Sequence, residues 1–261
     1  MAEDRFRFSD GAAYERMMGT WSGLVGDVFL DWLAPEPQLK WIDVGCGNGV
    51  FTERIVDRCR PAEVQGIDPS DAQLAYARGR PAARLAEFRK GDAMALPFAD
   101  ARFDAAVMAL VIFFVPDPAK CVAEMARVVR PGGRVVAYAW DMRGGGFPLA
   151  PVGIEARGMG LDLPRPPSVD ASRMEALQAL WAGAGLTSVE TREITVERTF
   201  DDFDDFWTTG HGSSLGAALA AVEPEVVERL RTRVRDRLPA DGEGRITTPA
   251  RANAIKGRVP A

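Results

Sequence analysis

Asp43, Gly45, Gly47, Gly49 and Asp68 are the residues of this 261-residue chain whose types and spacing best suit the binding of a nucleoside. They lie in WIDVGCGNGVFTERIVDRCRPAEVQGID, residues 41–68. An apolar run, Trp41 to Val44, enters three alternate glycines. An amphipathic stretch follows with Phe51, Ile55 and Val56 on one face, and a second apolar run, Val64 to Ile67, ends on Asp68. Read as strand, turn, helix and strand, this is the layout of a nucleotide-binding β-α-β unit. The glycines allow a tight turn and a close backbone approach to a ligand without Cβ interference. The helix after them aims the free N–H groups of its first turn at that ligand. Asp68, 19 residues beyond Gly49, stands where a carboxylate accepts both hydroxyls of a ribose. The spacing is GxGxG, with Val50 and Phe51 after the last glycine, and not the GxGxxG that cradles a pyrophosphate.

A strand ending in DxGCGxG, followed by an acidic residue closing the next strand, resembles motif I of class I S-adenosylmethionine (SAM) methyltransferases. KGDAMALPF, residues 90–98, resembles the family segment that meets the adenine. RFDAAVMALVIFFVPDPAKCVAEMARVVRPGGRVVAYAW, residues 102–140, resembles the fourth strand, the next helix, the PGG turn and the fifth strand. The subgroup it is most similar to is the small-molecule set related to ubiquinone and menaquinone biosynthesis. The motifs cover roughly residues 14–140, and four segments in family order and spacing carry the resemblance. It implies that Asp43 and the loop Gly45, Cys46, Gly47 to Gly49 hold the methionine part of SAM, and that Asp68 takes the ribose hydroxyls. Pro69 or Ser70 would lie beside the adenine, Asp92 would accept from its amino group, and the Ala93 N–H would serve a ring nitrogen. Ala109 and Leu110 would flank the sulfonium, and Tyr14, Met18 and Trp21 would belong to a segment folding over the cofactor. The last three also share a helical stripe, which equally suits plain core.

The elements needed to position these residues can be read along the chain. Residues 12–33 have helical periodicity and are stopped by Pro35 and Pro37. Strands are expected near 40–45, 63–68, 85–89, 103–109 and 134–141, with helices near 50–58, 70–79 and 118–129, the last capped by Asp117 before Pro118. Such alternation predicts an α/β, Rossmann-like, mostly parallel sheet with helices on both faces. Residues 142–171 are rich in glycine and proline, with a short helix between Pro151 and Gly160. A helix then runs from Ser172 to Gly185, and strands follow at 187–198 and 246–259. The family pattern makes these two strands an antiparallel hairpin completing seven strands, here split by helix-forming sequence. The expected organisation is an N-terminal helical cap over 1–36, a SAM-binding core over 37–142 and an active-site loop region over 143–171. The remainder of the sheet and its helix occupy 172–199 and 242–261, and a helical insertion serving as substrate lid occupies 200–241.

Composition narrows the functions. The net charge of −5, from 32 basic and 37 acidic residues, with no uncompensated basic block, disfavours nucleic-acid partners. The alternating arginines from Arg229 to Arg237 read as a solvated helix face. After the fourth strand stands Ala109-Leu110-Val111-Ile112, and not the Asn/Asp-Pro-Pro-aromatic motif of amino-methylating relatives. Three cysteines without a CxxC pair and a single histidine argue against a zinc site. Cys46 reads either as a redox thiol or as a small residue in a cramped loop. With no signal peptide and no run near the ~20 apolar residues of a membrane span, the chain is expected in a reducing cytoplasm.

His211, in TTGHGSSLG, is either a general base near neutrality or a loop residue. DDFDDFW, residues 201–207, either binds a cation or starts a helix with its acids while Phe203, Phe206 and Trp207 pack inward. The leading expectation is a SAM-dependent methyltransferase acting on a small organic acceptor by in-line attack from oxygen, nitrogen or carbon. An NAD-dependent oxidoreductase and a non-catalytic SAM-binding protein remain as alternatives, separable by nicotinamide binding and by turnover.

Overall fold

A computed structural model describes residues 15–210 and 214–261. Its centre is β1 (Lys40–Val44), buried from Trp41 to Val44 and lined on both edges by other buried strands. The sheet also contains β2 (Glu63–Asp68), β3 (Ala86–Lys90), β4 (Phe103–Ala109), β5 (Val129–Trp140), β6 (Thr187–Phe200) and β7 (Ile246–Arg258), in the order β3-β2-β1-β4-β5-β7-β6. The first five are parallel; β7 lies antiparallel between β5 and β6. Continuous apolar sequence in β1 and β4 is what a strand covered on both faces requires.

Around it lie α1 (Thr20–Leu33), α2 (Val50–Cys59), α3 (Asp71–Arg78), α4 (Pro118–Val128), α5 (Ala150–Gly158), α6 (Met174–Gly183), α7 (Phe203–Gly210), α8 (Ser214–Leu219) and α9 (Pro224–Arg237). A π-helical turn, Glu15–Gly19, leads into α1. Phe29 of α1 and Phe51 of α2 pack on Tyr138 of β5, with ring centroids 4.7 and 5.4 Å away. Trp181 of α6 donates to the Val135 carbonyl at 3.0 Å. It also abuts Gly257, which pairs with Val135 and where a Cβ would come within 2.8 Å of the indole. Residues 135 and 138 point to opposite sides of a pleated strand, so these helices cover opposite faces.

The fifth strand differs from expectation. It begins at Val129, not near 134, because Pro131-Gly132-Gly133 is a bulge within it. Phe103 pairs with Val129 and Ala105 with Arg134, leaving the intervening residues opposite Asp104. Gly132, at φ 76°, donates to the Val259 carbonyl at 2.9 Å, and Val259 donates to Gly133 at 3.0 Å, so hydrogen bonding continues past the bulge. The insertion after β6, expected to be helical, forms three helices among the described residues. Phe206 of α7 is 1% exposed and Trp207 stacks on Phe203 at 6.0 Å. Asp204 of the same helix pairs with Arg231 and Arg235, so the cations met by DDFDDFW are the protein's own. Arg235 lies 4.7 Å over the Phe203 ring.

Candidate functional site

The turn between β1 and α2 is built by backbone conformations open mainly to glycine. Gly45, Gly47 and Gly49 have φ of 77°, 53° and 82°. The N–H groups of Gly45 and Cys46 both donate to the Ile67 carbonyl, at 2.7 and 3.0 Å, which binds the turn to the end of β2. A Cβ on Gly45 would lie 2.6 Å from both γ-methyls of Val111, whereas a Cβ on Gly47 would meet nothing within 4 Å. Gly47 is therefore the point at which this loop faces open space.

Two carboxylates flank the loop. Asp68 accepts from the Gly47 N–H at 2.9 Å through one oxygen and from the Ser70 N–H at 2.8 Å through the other. Burial raises its pKa, while those two backbone bonds oppose the rise. Each carboxylate oxygen has two lone pairs, so Asp68 can shape the loop and still accept from a ligand's hydroxyls. Asp43 has no exposed surface. Its Oδ2 accepts from the Thr52 hydroxyl at 2.7 Å, and its Oδ1 is buried with no partner among the described residues. Burial raises its pKa to about 7, with the Thr52 bond lowering it and Asp68 adding a smaller rise. A buried, half-satisfied carboxylate beside an open glycine turn is a ready partner for a donor or cation brought by a ligand.

The other expected residues are placed as follows. Cys46 is 7% exposed, its thiol is driven well up by burial, and it packs beside Gly66, so the packing alternative describes its surroundings. Pro69 precedes Ser70, whose hydroxyl caps α3 by accepting from the Gln73 N–H at 3.3 Å. Asp92 is exposed after β3 and accepts from the Met94 N–H at 2.8 Å, which holds the turn containing Ala93. Ala109 ends β4, and Leu110 follows it at φ 62°, held there by donating to the Tyr138 carbonyl at 2.8 Å. A left-handed leucine is a strained conformation of the kind that gathers at functional positions. Met18 lines the cavity described below, while Trp21 packs edge-on against Trp140 and beside Phe200, each at 6.4 Å. Tyr14 and His211 lie outside the described residues.

Sequence reasoning missed Thr52, the partner of Asp43, although it lies one helical turn beyond the glycines. It also missed a clasp above the loop. Arg80 donates to the Asn48 carbonyl at 2.6 Å, to Glu53 at 2.8 Å and to Glu15, and Asn48 donates to Glu15 at 2.7 Å. Nothing in sequence links residues 15, 48 and 80; only the fold brings them together.

Past the ends of β4 and β5 opens a cavity of about 560 Å³. Leu110, Phe113 and Trp140 form its base; residues from 142–169, Met17, Met18 and Leu215 form its sides. This is the carboxyl edge of the sheet, where open α/β folds bind ligands. Among the described residues no group of His, Cys, Asp or Glu could hold a metal ion, and no helix is long and apolar enough to cross a membrane. The sheet order also departs from the all-parallel 3-2-1-4-5-6 arrangement of dinucleotide folds, because antiparallel β7 is inserted beside β5.

Residues 42–137 match the methyltransferase domain family. The ubiquinone/menaquinone biosynthesis C-methyltransferase of Dinoroseobacter shibae is 38% identical over 119 residues, 44% of this chain and 48% of that protein. The chain thus matches about half the length of such curated relatives. Among solved structures, the YcgJ protein of Bacillus subtilis superposes with a TM-score of 0.61 at 17% identity, over 91% of this chain and 98% of that one. Phosphoethanolamine N-methyltransferase 2 of Haemonchus contortus, solved with S-adenosyl-L-methionine, gives 0.60 at 17% identity, over 96% and 56%. The structural likenesses extend the fold to nearly the whole chain, while residues 42–137 match the methyltransferase domain family and are similar to the ubiquinone and menaquinone enzymes.

Proposed function

We propose that the protein is a SAM-dependent methyltransferase that acts on a small organic acceptor. The observation that carries this is the placing of Gly47. It faces open space between buried Asp43 and Asp68, at the same sheet edge as an open, largely apolar cavity. In this reading Asp43 and the backbone of Gly45 to Gly49 hold the amino-acid end of the cofactor, and Asp68 accepts its ribose hydroxyls. Pro69, Ala93 and Asp92 surround the adenine; Ala109 and Leu110 meet the sulfonium; Tyr14, Met18 and Trp21 belong to the segment that covers the site. The cofactor supplies a methyl group already activated by positive sulfur, so the chain need not provide strong acid–base chemistry. Its part is to align the acceptor in line with the carbon–sulfur bond and to exclude water, an effect of up to about 7–11 kcal/mol in favourable cases.

His211 would serve as base for an acceptor that must lose a proton, and a pH–rate profile unchanged in His211→Asn would remove that role. Three buried, unpaired cysteines fit a reducing compartment, and we place the protein in the cytoplasm; recovery with sedimented membranes would count against it. Calorimetric titration with SAM, S-adenosylhomocysteine and NADH tests the core of the proposal. Binding of the first two and not the third is expected, with the affinity lost in Asp68→Ala. Binding of NADH alone would put an oxidoreductase in its place, and SAM binding without turnover on any acceptor panel would leave a non-catalytic binder.

A further inference from the structure

The cavity beyond β4 and β5 has an uneven chemistry. Its base and sides are apolar, with Phe113, Phe147, Ile154 and Leu163 adding to Leu110 and Trp140. No Asp or Glu lines it among the described residues, yet three arginines do: Arg143, Arg157 and Arg165. Arg143 is already spent, since it donates to both oxygens of Asp170 at 2.8 and 3.1 Å. The guanidinium groups of Arg157 and Arg165 make no hydrogen bond or ion pair with any described residue. Arg157 does not simply extend outward from α5. Its Nη1 lies back along the helix, 3.5 Å from where a Cβ of Gly153 would stand, and Gly153 itself lines the cavity.

The contrast with α9 is instructive. There Arg231, Arg233, Arg235 and Arg237 all have carboxylate partners on neighbouring helices. At the cavity, in a chain of net charge −5, no carboxylate among the described residues pairs with these two arginines. Both arginines are exposed, so their attraction for an anion is that of solvent-screened cations beside apolar surface. Among the described lining residues no carboxylate stands ready to pair with an amine, and the two arginines would repel it.

We propose that this cavity binds an anionic amphiphile, a small molecule with an aromatic or acyl body and one carboxylate, sulfonate or phosphate group, with Arg157 and Arg165 holding the acid. The volume of about 560 Å³ fits a ligand of that size. That such a molecule is the methyl acceptor rests on the methyltransferase reading; the charge preference of the cavity stands on its own geometry.

Two probes with one ring system test it: 1-anilinonaphthalene-8-sulfonate and N-phenyl-1-naphthylamine, which lacks the sulfonate. The wild-type protein is expected to bind the sulfonate at least about tenfold more tightly, a preference of about 1.4 kcal/mol. The preference should shrink at high salt, vanish in Arg157→Gln/Arg165→Gln and survive in Arg143→Gln. Retained SAM affinity and circular dichroism would certify that the double variant is folded. Equal binding of the two probes, or loss of preference only in Arg143→Gln, overturns the proposal. So does arginine-dependent co-sedimentation with phosphatidylglycerol vesicles in the absence of any preference between the soluble probes, which would assign the arginines to a lipid surface. SAM titration of the same samples separates the two readings. A sulfonate preference without SAM binding upholds the cavity's chemistry and removes methyl transfer; SAM binding without the preference removes this inference alone.

Discussion

Asp43 is costly to keep ionised and useful only when ionised. Its pKa is raised to about 7 chiefly by burial, so the folded protein holds that proton more tightly than the unfolded chain, where an aspartate titrates near 3.8. The resulting stability is complete below the unfolded value and is lost as pH rises through about 7. Binding of a ligand that needs the carboxylate has the opposite dependence. SAM affinity in the wild type should fall by roughly tenfold between pH 8 and pH 6, one proton being displaced per ligand. Asp43→Asn should bind about 10–100-fold more weakly, the worth of one hydrogen bond to a charged group, with the pH dependence gone. Its melting temperature at pH 8 should be no lower than that of the wild type. A melting temperature that drops sharply would mean Asp43 holds the fold and not the ligand. The glycines divide in the same manner. Gly45→Ala pushes a methyl into Val111 and should cost about 1–3 kcal/mol of stability, read by denaturant unfolding. Gly47→Ala has room, and should lose only about 1–2 kcal/mol for its left-handed backbone while abolishing SAM binding.

Among the elements, the clasp on Arg80 couples the turn before α1 to the glycine loop. Arg80 is 12% exposed and carries Glu15, Glu53 and the Asn48 carbonyl at once. Arg80→Ala leaves the buried Asn48 carbonyl and Glu15 without that donor. We expect faster hydrogen exchange across Glu15–Gly19 and a faster SAM off-rate; exchange unchanged there would show that the turn is held by Met17 and Met18 packing alone. This coupling marks the limit of what could be read from sequence. Strand periodicity and glycine spacing located β1, β2 and α2 almost to the residue, because their hydrophobic pattern and their chemistry are local. The strand at Ile246–Arg258 was legible for the same reason, though its partner β6 lies across a long insertion. The bulge at Pro131-Gly132-Gly133 was not, since its cause is a hydrogen bond to Val259 at the far end of the chain. Arg80, Thr52 and the two arginines of the cavity, which have no partner among the described residues, escaped for a related reason: their meaning depends on what stands beside them.

For the molecule as a whole, the glycine loop and the cavity meet at one sheet edge. The family match ends at residue 137, so the glycine loop lies inside it and nearly all of the cavity wall lies outside. Glu155 is a polar fastening between cavity wall and insertion, beside the apolar packing of Leu149 and Val152 against α7 and α8. It sits on α5 at 8% exposure, between Arg233 and Arg237 of α9, which donate to its two oxygens at 2.8 Å each. Those bonds hold its carboxyl below the usual range, so the tie is present above the ordinary glutamate pKa and is lost as pH falls through the lowered value. Glu155→Gln removes the charge at every pH. If the two parts are energetically independent, SAM affinity should stay within about twofold of the wild type, as expected for distant sites with no shared partner. Exchange protection in α5 and α9 should fall together, and the naphthalene sulfonate should bind more weakly because Arg157 rides on the loosened helix. Unchanged protection in α9 would mean that the arginine pairs merely decorate a helix held by Leu230 and Val234. A matching loss of SAM affinity would mean that cofactor and acceptor sites are coupled through α5, and that the insertion controls the core as well as covering it.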